Sequence, residues 1–187
     1  MKYTILLLPG AGLSTVHQEK ILADTLKAAL GEEFSIICPK MPDADNPSYE
    51  NWVNVLIEHL KTTRGKIILV GHSLGGSVIL KHFSMAPVPS CIIGMVLLGV
   101  PFWKYQDWDV SEFVIADKFL PNFARLDNIY FYYSKDDEVI PFDHYGYYQE
   151  LMPQSHKRLL SNVDHSYHNA IPNIIEDIQA LVKNATQ

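Results

Sequence analysis

The chain of 187 residues is 48% hydrophobic, 19% charged and 11% aromatic, a composition that fits one packed domain and excludes a disordered or fibrous protein and a second catalytic domain. A formal charge of -6 at pH 7, with no run of Lys and Arg, sets nucleic acid aside as a partner. Cys38 and Cys91 each fall in an apolar run, so buried thiols are expected rather than a disulfide framework; no stretch has the pattern of a signal peptide or the length of a membrane span, and the expected location is the cytoplasm.

Short apolar runs alternate with amphipathic segments from end to end, which is the pattern of an α/β fold. Tyr3 to Leu8 is a continuous apolar run closed by Pro9-Gly10-Ala11-Gly12, a buried strand followed by a glycine-rich turn. Ile21, Leu22, Leu26, Ala29 and Leu30 recur at helical spacing, with Ser14 or Thr15 able to cap the start and Gly31 placed to end the helix. Phe34 to Cys38 is the next strand, and the proline-rich segment 39–47 must be loop. Ser48 caps a helix whose apolar face is Trp52, Val55, Leu56 and Leu60 and which ends near Arg64-Gly65. Lys66 to Val70 is a central strand, Leu74 to Phe83 the helix after it, and Cys91 to Val100 another buried strand. Ile129 to Tyr133, Lys157 to Leu160 and a terminal helix over Pro172 to Val182 complete the series. About six mostly parallel strands joined by right-handed crossovers are expected.

Residues 101–127 break this rhythm. They place Phe102, Trp103, Tyr105, Trp108, Phe113, Phe119 and Phe123 between two strands, a connection too long for a simple loop. The segment reads as one crossover helix with irregular flanks, or as a small lid that hangs aromatic side chains over a pocket at the strand ends.

Gly71-His72-Ser73-Leu74-Gly75 has the form G-x-S-x-G and stands between an apolar strand and an amphipathic helix, the context that gives this pattern chemical meaning. A strand that turns sharply into a helix holds the turn residue in a strained conformation, glycines on either side relieve the crowding, and the serine hydroxyl is exposed. Ser73 at the helix N-terminus also gains the positive end of the helix dipole and the N–H of Leu74, half of an oxyanion hole. The other half is expected from the loop after the first strand, with Ala11 as the leading donor and Gly10 as the second. That loop lacks the G-x-G-x-x-G and Gly-Lys-Ser/Thr patterns of phosphate cradles.

A serine hydroxyl needs a base, and the base needs an acid to fix its tautomer. Ser134-Lys135-Asp136-Asp137-Glu138 follows a strand directly, and the carboxyl end of a parallel strand is where ligands bind. Asp137 is the preferred acid and Asp136 its competitor, with turn capping as its other role. Asp164-His165-Ser166-Tyr167-His168 supplies the base, His165 in preference to His168. Read as metal ligands, the same residues have loose spacing and no third cluster. The remaining histidines fall on helices (His17, His59, His82) or in polar surroundings (His144, His156), and His72 abuts the nucleophile.

Leu7-Leu8-Pro9-Gly10, Pro42 to Pro47 followed by Trp52, Gly71-His72-Ser73-Leu74-Gly75, Asp136-Asp137 ahead of Pro141, and a late Asp164-His165 pair together resemble the α/β-hydrolase superfamily. Within it the chain resembles the small serine hydrolases related to retinoblastoma-binding protein 9, departing from their pattern in having Asp164 rather than glycine before the histidine. The resemblance covers nearly the whole chain and implies an α/β-hydrolase-like three-layer sandwich with a minimal cap, in which Ser73, Asp137 and His165 are nucleophile, acid and base. The expected activity is hydrolysis of small acyl substrates, carboxylic esters first, with amides or thioesters as alternatives and no cofactor. Gly10, His72, Phe102 and Trp103 are expected to line the substrate site. A non-catalytic binding protein on the same fold is the rival reading.

Overall fold

The computed structural model describes residues 2–13, 15–103, 111–116, 120–123, 126 and 128–185. Six strands form a single sheet: β1 (Tyr3–Leu8), β2 (Phe34–Ile37), β3 (Lys66–His72), β4 (Ile92–Leu98), β5 (Ile129–Ser134) and β6 (His156–Leu160). Their order is β2-β1-β3-β4-β5-β6, and every neighbouring pair is parallel. The chain leaves β1 toward one edge and returns through β3 on the other side, so the crevice beyond the ends of β1 and β3 is the point where ligands bind in open parallel sheets.

Alternation along the strands creates the layers. Leu6, Leu8, Ile67, Leu69, Met95, Leu97, Phe131 and Tyr133 face one side, where α2 (Tyr49–Thr62), α3 (Leu74–Met85) and α5 (His144–Leu151) pack over them with Trp52, Leu56, Val78 and Tyr148. Ile5, Leu7, Ile68, Val70, Val96, Leu98, Tyr130 and Tyr132 face the other side, under α1 (Thr15–Leu30) and α6 (Ile171–Asn184), which contribute Leu22, Leu26, Ile174, Ile178 and Leu181. The result is an α/β-hydrolase fold, a three-layer sandwich on an open sheet. No helix among the described residues is long and apolar enough to cross a membrane.

The caps follow from local chemistry. Ser48 accepts the Asn51 N–H at 3.4 Å, and Gly31, with φ of 75°, ends α1 in the left-handed conformation that glycine adopts freely. Thr15 begins α1, and its hydroxyl donates to the Gly10 and Gly12 carbonyls, at 3.2 and 2.7 Å, rather than capping the helix; Ser14 lies outside the described residues.

Several expectations need correction. Ile21 is exposed and the face of α1 buries Glu19 with Leu22 and Leu26. Cys38 is exposed and Cys91 half-buried, because edge strand β2 ends at Ile37 and β4 begins at Ile92, leaving each thiol outside its strand. Helix α5 has only eight residues and a weak apolar stripe, so the sequence reading passed over it. His144, expected in polar surroundings, is fully buried in that helix. Within 101–127, the described residues hold no long crossover helix. They form a 3-10 turn at Ser111–Phe113 and the short helix α4 (Leu120–Phe123), with Phe113 and Phe123 buried in the core. Both pieces are tied to neighbours: Glu112 accepts the Tyr49 N–H at the start of α2, and the Asn122 amide donates to the Ser84 carbonyl at the end of α3. Tyr105, Trp108 and Phe119 lie outside the described residues, and with them the choice between lid and packed connection.

Candidate active site

Ser73 is the residue between β3 and α3, held at φ 49° and ψ -117°. This is a left-handed, sparsely populated conformation for a residue with a Cβ, and it persists because the surroundings fix it. The Ser73 N–H donates to the Leu98 carbonyl on β4 at 2.8 Å, and its carbonyl accepts the Ser77 N–H of the first helical turn at 3.2 Å. Glycines permit the turn by close approach. A Cβ on Gly75 would stand 2.3 Å from the Leu8 carbonyl oxygen, and one on Gly71 would stand 2.6 Å from the Gly76 Cα. The start of α3 thereby presses against the end of β1, which brings Ser73 beside the loop from Pro9 to Gly12.

That loop is fixed on both flanks. Gly12 donates its N–H to the Ala44 carbonyl at 2.7 Å and Leu13 to the Asp45 carboxylate at 2.8 Å. The Gly10 N–H is taken by Glu19 Oε1 at 3.0 Å, which removes Gly10 as an oxyanion donor. The N–H groups of Ala11 and of Leu74, first residue of α3, have no hydrogen-bond acceptor among the described residues, as the orphan donors of a helix start and an open turn do.

Asp137 follows β5, and its carboxylate is 1% exposed. Oδ1 accepts the N–H groups of Val139 at 2.9 Å and Ile140 at 2.8 Å, and Oδ2 accepts the Tyr167 hydroxyl at 3.2 Å. His165, in the loop between β6 and α6, sets Nδ1 at 3.0 and 2.9 Å from Oδ1 and Oδ2 and is 13% exposed. Burial alone would raise the carboxyl pKa, but the bond from His165 and those from Ile140 and Val139 outweigh it and hold it below the ordinary value. Ser73 and His165 line one cleft of about 380 Å³, with Gly10, Ala11, Thr15 and Glu138. No hydrogen bond joins the Ser73 and His165 side chains; catalytic hydrogen bonds of this kind often tighten only with substrate in place.

Asp136 and His168 have other partners. Asp136 Oδ2 accepts the Asn162 N–H at 2.6 Å, which ties the loop after β5 to the loop after β6. His168 Nε2 lies 2.9 Å from the Gln18 carbonyl, away from Asp137. Phe102 and Trp103 leave the end of β4 half-buried; Phe102 stacks on Tyr147 and stands edge-on to Tyr148, while Trp103 tilts against Phe113. Neither is among the residues lining the Ser73 cleft.

His72 does not line it either. It shares the Ile68 and Val70 face of β3, which α1 covers, and is 2% exposed. Its Nδ1 lies 2.5 Å from Glu19 Oε1 and its Nε2 2.7 Å from the His165 carbonyl oxygen, so both ring nitrogens are committed to the protein and none is left for substrate. Burial alone would lower its pKa; the Glu19 carboxylate, then the His165 carbonyl and Asp137, outweigh that and raise it.

Three residues at this site escaped the sequence reading. Tyr167, with φ of 56° and a fully buried ring, buttresses Asp137, and Gly99 is glycine beside it because a Cβ would stand 2.9 Å from its ring. Glu138 accepts the His165 N–H at 3.3 Å. Glu19 carried a readable signal: a carboxylate at position 19 shares the helical stripe of Leu22 and Leu26, where an apolar residue belongs.

The profile of the alpha/beta hydrolase family matches residues 5–182. No curated protein matches the chain. Among solved structures, the ydeN gene product from B. subtilis is similar with a TM-score of 0.77 at 19% identity, over 98% of this chain and 100% of that one. Est1E from Butyrivibrio proteoclasticus, in a structure with ferulic acid bound, gives 0.69 at 14% identity over 100% and 90%. Alpha/beta hydrolase domain-containing protein 10 from mouse gives 0.66 at 13% identity over 97% and 90%. With the profile spanning nearly all of its sequence, and with this sheet order and strand-to-helix turn, the chain belongs to the alpha/beta hydrolase family.

Proposed function

We propose that the protein is a serine hydrolase that cleaves small carboxylic esters through an acyl-enzyme. The observation that carries this reading is one cleft holding a serine on a strained strand-to-helix turn and a histidine whose Nδ1 is 2.9 Å from a carboxylate that is 1% exposed. A buried acid on one ring nitrogen keeps the proton there and leaves Nε2 free to act as base.

In this mechanism Ser73 Oγ attacks the ester carbonyl as His165 Nε2 takes its proton. Asp137 holds the imidazole in the required tautomer and stabilises the imidazolium that forms. The developing oxyanion receives the N–H groups of Leu74 and Ala11, the first backed by the dipole of α3. His165 returns the proton to the leaving alcohol, and a water, deprotonated by the same nitrogen, then releases the acid from Ser73. The orphan state of the two N–H donors supports this role, since nothing in the described residues competes for them.

The test is covalent labelling with a fluorophosphonate, which reacts with activated serines, together with p-nitrophenyl acetate turnover. Wild type should label and turn over, and Ser73→Ala should do neither while melting at the same temperature. Ester turnover that survives in Ser73→Ala, or folded wild type that neither labels nor turns over, overturns the proposal.

A further inference from the structure

Glu19 and His72 lie outside the triad, yet they touch two loops that the proposed chemistry needs to hold still. Glu19 is 3% and His72 2% exposed. One oxygen, Glu19 Oε1, meets both the Gly10 N–H at 3.0 Å and His72 Nδ1 at 2.5 Å. The other end of the same imidazole, Nε2, meets the main-chain oxygen of His165 at 2.7 Å. A single chain of bonds therefore runs from the loop that carries the Ala11 donor, through α1 and the end of β3, to the loop that carries the base. The His72 and His165 rings also pack with centroids 4.8 Å apart.

We propose that Glu19 and His72 are positioning residues that clamp the loop from Pro9 to Gly12 and the His165 loop in one fixed relation, setting the distance between oxyanion donor and base. The clamp rests on the serine-hydrolase reading above and adds to it a device that neither Ser73, Asp137 nor His165 supplies.

Proton counting shows why both members are required. His72 faces an acceptor at each end, a carboxylate oxygen and a carbonyl oxygen, so the two bonds need two protons. A carboxylate with an imidazolium supplies them, and so does a carboxylic acid with a neutral imidazole; either way the pair is neutral overall. Take one proton away and one bond becomes a contact between lone pairs. The arrangement is a poor device for stability alone. Glu19 Oε2 is buried with no partner among the described residues, and a buried ionic pair with unsatisfied atoms is generally no better than apolar residues of the same volume. Its use to the protein is in what it holds. The bond to Gly10 also aims the loop: with that N–H turned inward onto Glu19, the following N–H, Ala11, is the one left for the cleft.

Glu19→Gln tests this with shape preserved. With its oxygen in the place of Oε1, the amide accepts from Gly10 and from a His72 Nδ1–H and leaves the neutral ring no proton for the His165 carbonyl; turned over, its NH2 donates to Nδ1 and spares that bond but no longer accepts from Gly10, so in either orientation one end of the clamp is released. A displacement of a catalytic group by about 1 Å costs on the order of 100-fold in rate, and a tenfold to hundredfold fall in kcat for p-nitrophenyl acetate is expected, with KM within about twofold. His72→Asn should give a similar loss, and the double variant should be no worse than the poorer single one, because the two act as a unit. Additive losses, or a Glu19→Gln enzyme that folds and keeps wild-type kcat, overturn the clamp while leaving Ser73 labelling, and hence the hydrolase reading, intact. A wild type that neither labels nor turns over removes both. Should the variants fail to fold, the wild-type proton spectrum decides: two slowly exchanging downfield protons on the Glu19–His72–His165 path are expected besides the one between His165 and Asp137, and free exchange of the His72 ring protons overturns the proposal.

Discussion

Asp137→Asn separates charge from shape at the site. Oδ1 is pinned by the Val139 and Ile140 N–H groups at 2.9 and 2.8 Å, so the amide oxygen of an asparagine must sit there and its NH2 must take the place of Oδ2. Oδ2 lies 2.9 Å from His165 Nδ1 and 3.2 Å from the Tyr167 hydroxyl. The NH2 would donate to Nδ1, which drives the imidazole proton to Nε2, the nitrogen that must take the Ser73 proton in the proposed mechanism, and so blocks that transfer. The lost attraction between carboxylate and imidazolium, for charges about 4 Å apart at an effective dielectric of about 20, is about 4 kcal/mol. At 1.36 kcal/mol per factor of ten, that is roughly 1,000-fold in kcat. The wrong tautomer adds to it, and the total approaches the order of 10,000-fold that the same acid-to-amide change costs in a serine protease. Steady-state p-nitrophenyl acetate hydrolysis measures it, with KM little changed because Asp137 does not touch substrate in this mechanism. A folded Asp137→Asn enzyme within tenfold of wild-type kcat would refute both the hydrogen-bond assignment and the role of the acid.

Two further predictions concern stability. His144 accepts the Phe102 N–H at 2.7 Å, and burial pushes its pKa down to about 4, against a weaker upward pull from Asp143 and Asp137. Its ordinary value is about 6.5, so between these pH values the unfolded chain binds the extra proton; the contribution is complete above about pH 6.5 and is lost as pH falls toward about 4, with an upper bound of roughly 3–4 kcal/mol. Urea midpoints at pH 7 and pH 4.5 should differ less for His144→Gln than for wild type, and equal differences would dismiss the assignment. Asp177, buried on α6, accepts the Tyr132 hydroxyl at 2.5 Å and bonds the Arg158 guanidinium, tying α6 to β5 and β6. Arg158 is partly exposed, so Asp177→Ala should cost about 3 kcal/mol, near the lower end for breaking a buried pair. Thermal melts should show roughly 6–12 °C of loss with kcat unchanged; a kcat that falls alongside Tm would mean that this cluster communicates with the cleft.

Much of the architecture is local and therefore legible. Apolar runs such as Tyr3–Leu8 and Lys66–Val70 are short and bounded by Gly or Pro, which marks them as buried strands, and the residues between them carry helical spacing, so the alternation gives a layered parallel sheet. Gly71-His72-Ser73-Leu74-Gly75 is legible for the same reason: the strain at Ser73 and the crowding at Gly71 and Gly75 arise within a few residues of chain. Helix α5 was not legible, because eight residues with polar side chains on most faces carry too little periodicity.

Local patterning was enough for the layered sheet, the strand-to-helix turn at Ser73 and a short list of acids and bases late in the chain. Which of them meet is a tertiary matter: Asp137 pairs with His165 while Asp136 and His168 bond elsewhere, because the direction of a side chain at a strand end depends on where β5, β6 and α6 come to rest against β3. The same holds for Glu19 and His72, separated by 53 positions. Each reads alone as a polar residue in an apolar stripe, and the physical reason for both appears only when packing brings α1 onto β3 and makes one the partner of the other.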